Sequence, residues 1–353
     1  LDYCCPEKYY GIEGKVKKRM WRMKNVMGMF LLSVLVMGCH GAPHLVKRSQ
    51  MLMGTVVFVT AVGTDESTAQ HAAKAGLEEI RRLEELLSTW IPSSELSKVN
   101  DAAGREAIQV SQETFQVLER SLDMAKLTNG GFNIAVGPAV KAWDASGDGQ
   151  IPPQEDLEAL RPRIDVSQIH LDRKKRTVWL QRPGMQIDVG GIGKGYAADL
   201  AARVMKASGA TAGVVALSGD IKTFGRMPDD QRFVFGIQHP RKEQGEILGR
   251  IELENEAVST AGDYQRYFMK DGIRYHHILD PATLQPAREC QSVTVVAKEG
   301  VMADGLDTGI FVMGPEKGMA LIESLTDVEG IIVGQDGKIS VSSGLVSRFT
   351  MEQ

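Results

Sequence analysis

The chain has 353 residues, of which 43% are hydrophobic and 24% charged, and its formal net charge is −4. That is enough apolar material for one large domain or two smaller ones. The acidic balance, with a pI near 6.0, argues against nucleic acid as the main partner.

The N-terminal stretch departs from this average. Lys15, Lys17, Lys18, Arg19, Arg22 and Lys24 precede an apolar run from Val26 to Met37, which ends in Gly38-Cys39. A basic segment ahead of a short apolar one is the pattern of a secretory signal, too short for a comfortable membrane span. Leu35-Val36-Met37-Gly38-Cys39 resembles a bacterial lipobox. The resemblance implies a lipidated Cys39 that anchors a periplasmic protein to the membrane. Residues ahead of Met20 or Met23 read as upstream of the true start. Residues 1–39 are then upstream sequence and signal, and 40–353 a single catalytic domain. Of Cys4, Cys5, Cys39 and Cys290, only the last two survive processing, so no internal disulfide framework is expected. No Cys/His cluster has zinc spacing.

Ser49 to Val62 is a β-rich run with an early glycine, Gly54. Ala69, Ala73, Leu77, Ile80, Leu83, Leu87 and Trp90 then recur at helical steps, predicting a helix over 67–90. A second amphipathic helix is predicted over 112–127, ended by Asn129-Gly130-Gly131, and a further helical start runs through Val140 and Trp143. Asp144 to Glu155 follows the calcium-loop ligand pattern, but Pro152 and Pro153 stand where its exit helix would begin. The default reading there is a polar, turn-rich insertion. Strands are predicted over 169–171, 177–181 and 185–189.

The densest punctuation follows. Asp188-Val189-Gly190-Gly191-Ile192-Gly193-Lys194-Gly195 leads into an alanine-rich helix over 196–208. Glycines free the backbone to approach a ligand, and a helix N-terminus favours phosphate. Lys194 adds a point charge. Neither the Walker nor the Rossmann spacing is met, so a phosphate cradle and a plain glycine turn both remain open. Strands are then predicted over 213–217, 233–238, 247–253, 257–260, 264–269, 275–279 and 292–297. Two helices, 302–313 and 316–325, and a hairpin over 330–341 complete a single α+β domain.

Asp304 and Thr308 share a helix face at i and i+4, and both are hard oxygen donors suited to Mg2+. They fit equally a helix-terminal aspartate and a back-bonded threonine. His277 is the best acid–base candidate, and its neighbour His276 on the same strand must face the other way.

Met53-Gly54-Thr55, Ser94-Glu95-Leu96, Phe132 to Pro138, Asp188 to Gly195, Ser218-Gly219-Asp220, Gly262-Asp263-Tyr264, His277 to Pro281 and Ala303 to Thr308 occur in the order seen in the ApbE family, which the chain resembles from about 51 to 344. The resemblance implies a single T-fold-like α+β domain of mixed, largely antiparallel sheets with packed helices. It implies an FAD:protein FMN transferase that uses FAD as substrate and Mg2+ as cofactor. Its partners would be flavin-carrying subunits of membrane redox complexes with a Ser/Thr acceptor motif. By the same resemblance Met53, Trp90, Gly131, Phe132, Asn133, Asp188, Lys194 and Ile278 line the flavin nucleotide. The Gly191 carbonyl, Asp304 and Thr308 hold the metal, and His277 takes part in transfer. Three positions depart from the family pattern: Asn133 for the usual Asp, Ala261 for Ser, and Leu284 for Gly in Asp-Pro-x-Thr-Gly, where a different turn shape is expected.

Overall fold

In the computed structural model, which describes residues 43–144 and 150–352, the first run is a hairpin of β1 (His44–Leu52) and β2 (Thr55–Gly63). The β-rich run is split in two because Met53 (φ +51°) and Gly54 (φ +69°) turn the chain back on itself. Positive φ at both central residues gives a turn whose twist matches the strands it joins.

Helix α1 (Glu66–Leu87) is capped by Asp65, whose carboxylate accepts the Thr68 N–H at 2.9 Å. The helix ends at Leu87, so Trp90 is not its last apolar residue; it stands 91% exposed on the following loop. Next come α2 (Glu95–Asp101), β3 (Ile108–Gln109) and α3 (Gln112–Leu127), the last with the bounds its periodicity predicts. Helices α4 (Gly137–Trp143) and α5 (Gln154–Leu160) flank the polar insertion. Positions 145–149, the body of the calcium-like pattern, lie outside the described residues, as do 1–42 with Cys39. Among the described residues no helix is long and apolar enough to cross a membrane.

Strands β4 (Ile169–Asp172) and β5 (Thr177–Leu180) join β3 in a small sheet. The third strand predicted there, 185–189, joins no ladder. Its polar groups are met from elsewhere: the Ile187 N–H donates to Asn100 Oδ1 at 2.7 Å, Asn100 Nδ2 donates to the Ile187 carbonyl at 3.0 Å, and the Asp188 N–H donates to the Ile134 carbonyl at 2.9 Å. Helix α6 (Gly193–Ala207) starts within the glycine-rich stretch. The remaining strands are β6 (Ala212–Leu217), β7 (Asp220–Phe224), β8 (Phe233–Gln238), β9 (Ile247–Leu253), β10 (Ala257–Gly262), β11 (Tyr267–Lys270), β12 (Ile273–His276) and β13 (Cys290–Ala297). Helices α7 (Gly300–Met313) and α8 (Pro315–Ser324) precede β14 (Val328–Gly334), β15 (Ile339–Val341) and β16 (Phe349–Met351).

Eight strands form one sheet in the order β1-β2-β6-β7-β10-β13-β14-β15, antiparallel at each pairing. Both faces are covered. Val57, Val59, Val293 and Val295 pack with α1, α6 and α7 residues such as Ile80, Ala201 and Leu306. Val62, Ile221, Val258 and Val296 pack with Phe235, Ile237 and Ile251 of the β16-β9-β8 sheet. Every position along β13 is buried, the polar Gln291, Ser292 and Thr294 included. The arrangement is the α+β architecture of antiparallel sheets and packed helices that the sequence implies.

The Asp280–Leu284 turn keeps the left-handed geometry a glycine would adopt, since Leu284 has φ +59°. Its side chain is fully buried in a cluster with Trp143, Leu157, Ile164 and Leu279, and Trp143 Nε1 donates to the Leu284 carbonyl at 2.8 Å. The strain of a left-handed leucine is about 1–2 kcal/mol, and its burial more than offsets that. Leu284→Gly relieves the strain but leaves a cavity costing about 2–5 kcal/mol. A net loss of about 1–3 kcal/mol in denaturant unfolding is expected, and a stabilised variant would refute this balance.

Candidate active site

Segment 187–195 is held on one side by Asn100 and Ile134 and on the other by α7. Asp188 Oδ1 accepts the Gly190 N–H at 2.6 Å, and its Oδ2 accepts from Thr89 Oγ1 at 3.3 Å. Thr89 precedes the exposed Trp90, so Asp188 and the indole flank the same loop. Helix α6 has no capping side chain of its own at Ile192. Its third residue, Gly195, donates its N–H to Asp304 Oδ2 of α7 at 2.8 Å. The glycine there serves helix contact: a Cβ on Gly195 would overlap the Gly300 carbonyl oxygen and lie 2.7 Å from Asp304 Cβ. Gly191 lies against Thr308 and Phe132, with a Cβ on it 3.1 Å from Thr308 Oγ1 and 3.4 Å from the Phe132 ring.

Behind this wall lie three buried carboxylates. Asp220 of β7 and Asp304 and Asp307 of α7 each offer an oxygen within 4.8 Å of the others. Lys194 forms an ion pair with Asp220. Ser259 of β10 bonds Asp220 and also lies 2.6 Å from Asp307 Oδ2, while Thr308 Oγ1 donates to Asp307 Oδ1 at 3.1 Å. One hydroxyl proton cannot serve both carboxylates at once. Burial and the neighbouring Asp220 push Asp304 up to about 8, and burial and Asp304 raise Asp307 well above the carboxylate range. Lys194 is held protonated by the carboxylates despite its desolvation. Three carboxyl groups beside one ammonium form a set of hard oxygen donors in which a divalent cation can take the place of the protons on Asp304 and Asp307, and that chemistry fits Mg2+.

The two histidines face different surroundings, though not by strand alternation: β12 ends at His276, and His277 stands at the bend beyond it rather than on the strand expected. His276 is buried against Phe311 at 5.5 Å; its Nε2 donates to the Ala287 carbonyl at 2.8 Å and its Nδ1 accepts the Ile278 N–H at 3.3 Å. It is a structural residue. His277 is half-buried, with Nδ1 3.3 Å from the Arg266 carbonyl, an acceptor that requires the proton on Nδ1 and leaves Nε2 free to accept one. Burial pushes it down to about 4, and Lys194 is among the charges that add to this.

The other positions expected to line the flavin are placed as follows. Met53 occupies the β1–β2 turn, its N–H donating to Glu84 Oε1 at 2.6 Å. Gly131 abuts α7, where a Cβ would lie 2.7 Å from the Gly309 carbonyl oxygen. Phe132 is buried, and its N–H donates to Thr128 Oγ1 at 2.9 Å. Asn133 Oδ1 accepts the Ala135 N–H at 2.7 Å and its Nδ2 donates to the Ile164 carbonyl at 3.3 Å, a donor that aspartate lacks. Ile278 is buried, and its carbonyl accepts the Ala287 N–H. Ala261 is buried on β10 beside Val293. Thus Lys194 and Asp304 meet at one centre, with Gly191 beside Thr308. Gly131 and Asn133 are engaged in packing and capping. Sequence reasoning missed Asp220, Asp307 and Ser259, although Asp220 and Asp307 stand within motifs singled out from the sequence.

The fold and this centre define a class of protein: an α+β scaffold with a buried carboxylate–lysine cluster beside a glycine-rich wall, a set of hard oxygen donors around one ammonium. The ApbE family model matches residues 53–332, and the chain belongs to the ApbE family. It is 31% identical over 304 residues to an FAD:protein FMN transferase of Klebsiella pneumoniae, covering 86% of this chain and 93% of that protein. It is also 31% identical over 347 residues to one of Treponema pallidum, covering 93% and 95%. The crystal structure of the ApbE protein from Thermotoga maritima superposes with a TM-score of 0.79 at 31% identity, covering 86% of this chain and 98% of that one.

Proposed function

We propose that the protein transfers the FMN half of FAD to a serine or threonine hydroxyl of a partner protein and releases AMP. The observation that carries this reading is the buried Asp220–Asp304–Asp307 cluster with Lys194 behind the Gly191–Thr308 wall. Met53, Trp90, Phe132, Asp188 and Ile278, with the backbone at Gly131 and Asn133, line the nucleotide. The Gly191 carbonyl, Asp304 and Thr308 would hold Mg2+, which supplies charge neutralisation at the pyrophosphate. The acceptor hydroxyl gives its proton to Nε2 of His277 as its oxygen bonds to the FMN-side phosphorus. The bond from that phosphorus to the bridging oxygen breaks, and AMP leaves with that oxygen. Lys194 stabilises charge on the phosphate oxygens. Acceptors are flavin-carrying subunits of membrane redox complexes, and lipidated Cys39 would hold the enzyme beside them on the periplasmic side. The compartment suits the chemistry, since FAD brings its own cleavable pyrophosphate where ATP is absent.

The test is intact mass of a candidate acceptor domain after incubation with the mature protein, FAD and Mg2+. Gain of one FMN with release of AMP is the expected result. FMN and AMP without an adduct would make it a hydrolase, and intact bound FAD a carrier. At saturating Mg2+, which offsets proton competition at Asp304, a base that titrates near 4 should keep the transfer rate flat from pH 7 down to about 5 and let it fall as the ring protonates near 4. His277→Ala should cost about 10²–10⁴-fold in kcat, and a loss below threefold would remove His277 from the reaction.

A further inference from the structure

Helices α6 and α7 cap one another. Helix α6 lacks its own capping side chain, and Asp304 of α7 accepts the N–H of its third residue, Gly195. Helix α7 likewise has no side-chain cap at Glu299. Its first two N–H groups, Gly300 and Val301, donate to Oδ1 and Oδ2 of Asp199 on α6 at 2.8 and 3.0 Å. The anchors are one helical turn apart on each helix and run in opposite order. Between them the backbones touch, since a Cβ on Gly300 would lie 2.5 Å from the Gly195 carbonyl oxygen. A third element closes the clamp. Lys222 of β7 lies 3.8 Å from Asp199 Oδ1 and donates to the Lys298 carbonyl just ahead of α7. Asp220 precedes it by two residues, on the same strand face.

We infer that Asp199 is a positioning residue of the transfer reaction: it sets the rotation and axial placement of α7 and thereby the presentation of Asp304 and Thr308. The inference rests on the proposed reaction only for what those two residues do. A carboxylate that satisfies both free donors of a helix start restricts that helix more than packing does, because slippage by one residue would leave a half-buried charge without its donors. Simple stability does not require the cap to come from α6; a Ser or Asp at position 299 would serve.

The experiment compares Asp199→Ala, Asp199→Asn and a distant capping variant, Asp65→Ala, which removes the cap of α1. Amide exchange over 300–304 is measured in the metal-free protein, and FMN transfer is followed as a function of Mg2+. In Asp199→Ala, exchange over 300–304 is expected to quicken about tenfold. The Mg2+ concentration for half-maximal rate should rise about tenfold or more, with kcat at saturating Mg2+ held within about threefold. Asp199→Asn, which keeps one acceptor oxygen, should recover part of both. Asp65→Ala should alter neither. Wild-type exchange over 300–304 in both Asp199 variants would overturn the clamp. Faster exchange with an unchanged Mg2+ requirement would reduce Asp199 to a structural cap and overturn the positioning role. A wild-type enzyme indifferent to Mg2+ would count against the metal reading alone, and the exchange comparison would still decide the clamp.

Discussion

Asp304→Asn is expected to lower FMN transfer by about a thousandfold, the equivalent of roughly 4 kcal/mol of lost charge neutralisation, and to leave the fold intact. The amide keeps an oxygen for the Gly195 N–H, so the α6 cap survives while the ligand charge does not. A second readout needs no substrate. Asp304 is held near 8 in the folded, metal-free protein against an ordinary 3.8. Between those values the folded state binds more protons than the unfolded chain, so stability falls as pH rises through that window. Asp304→Asn removes this contribution and should flatten the fall of Tm with pH. Mg2+ should raise the wild-type Tm near pH 8 and leave that of the variant almost unchanged. Transfer by the variant within tenfold of wild type, or an equal Mg2+ response, would remove Asp304 from the metal set. Asp307 lies in the same cluster, and Ser259 ties it to Asp220, so some pH dependence will persist in the variant.

Gly195→Ala should be strongly damaging for a change of one methyl group. Alanine is the better helix former, and on an exposed helix the substitution would stabilise. Here the added carbon meets the Gly300 carbonyl oxygen and Asp304 Cβ, and the first of these is backbone that no rotamer change can move aside. The helices must separate, which breaks the Gly195–Asp304 bond and shifts the carboxylate cluster. A loss of about 3 kcal/mol or more is expected, seen as a fall in Tm of roughly 6–10 °C. Residual folded enzyme should have lost most of its Mg2+ response. A variant with wild-type Tm would show that α6 and α7 slide freely and that glycine is not required at their crossing. Gly191→Ala makes a useful contrast, because its nearest neighbours are side-chain atoms of Thr308 and Phe132 at 3.1 to 3.4 Å, which can give way.

Local chemistry fixed a good part of this protein. Helix α3 and strands β8 and β9 fall where apolar spacing and flanking turn residues put them, because each is specified by its own neighbours in sequence. The convergence of Lys194 and Asp304 on one buried cluster was readable only from motif order, since spacing alone left each with an ordinary structural reading. The glycines after Asp188 read as a loop approaching phosphate, yet Gly193 and Gly195 belong to the first turn of α6, and Gly195 is there to admit α7. Segment 185–189 has the pattern of a strand but pairs with Asn100 and Ile134, a choice made by residues tens of positions away. Trp90 keeps the helical spacing but stands outside the helix in solvent.

The sequence by itself determined the α+β character and most of the longer helices and strands, because hydrophobic period and turn chemistry act over a few residues. Short elements such as β3, β7 and β16 carried too little pattern to be read. Only the tertiary structure decided that Asp220, Ser259, Asp304 and Asp307 share one buried site, and that Asp199 caps the helix carrying two of them. Those residues come from β7, β10, α6 and α7, and their charges interact only once the crossing of α6 over α7 has removed the water between them.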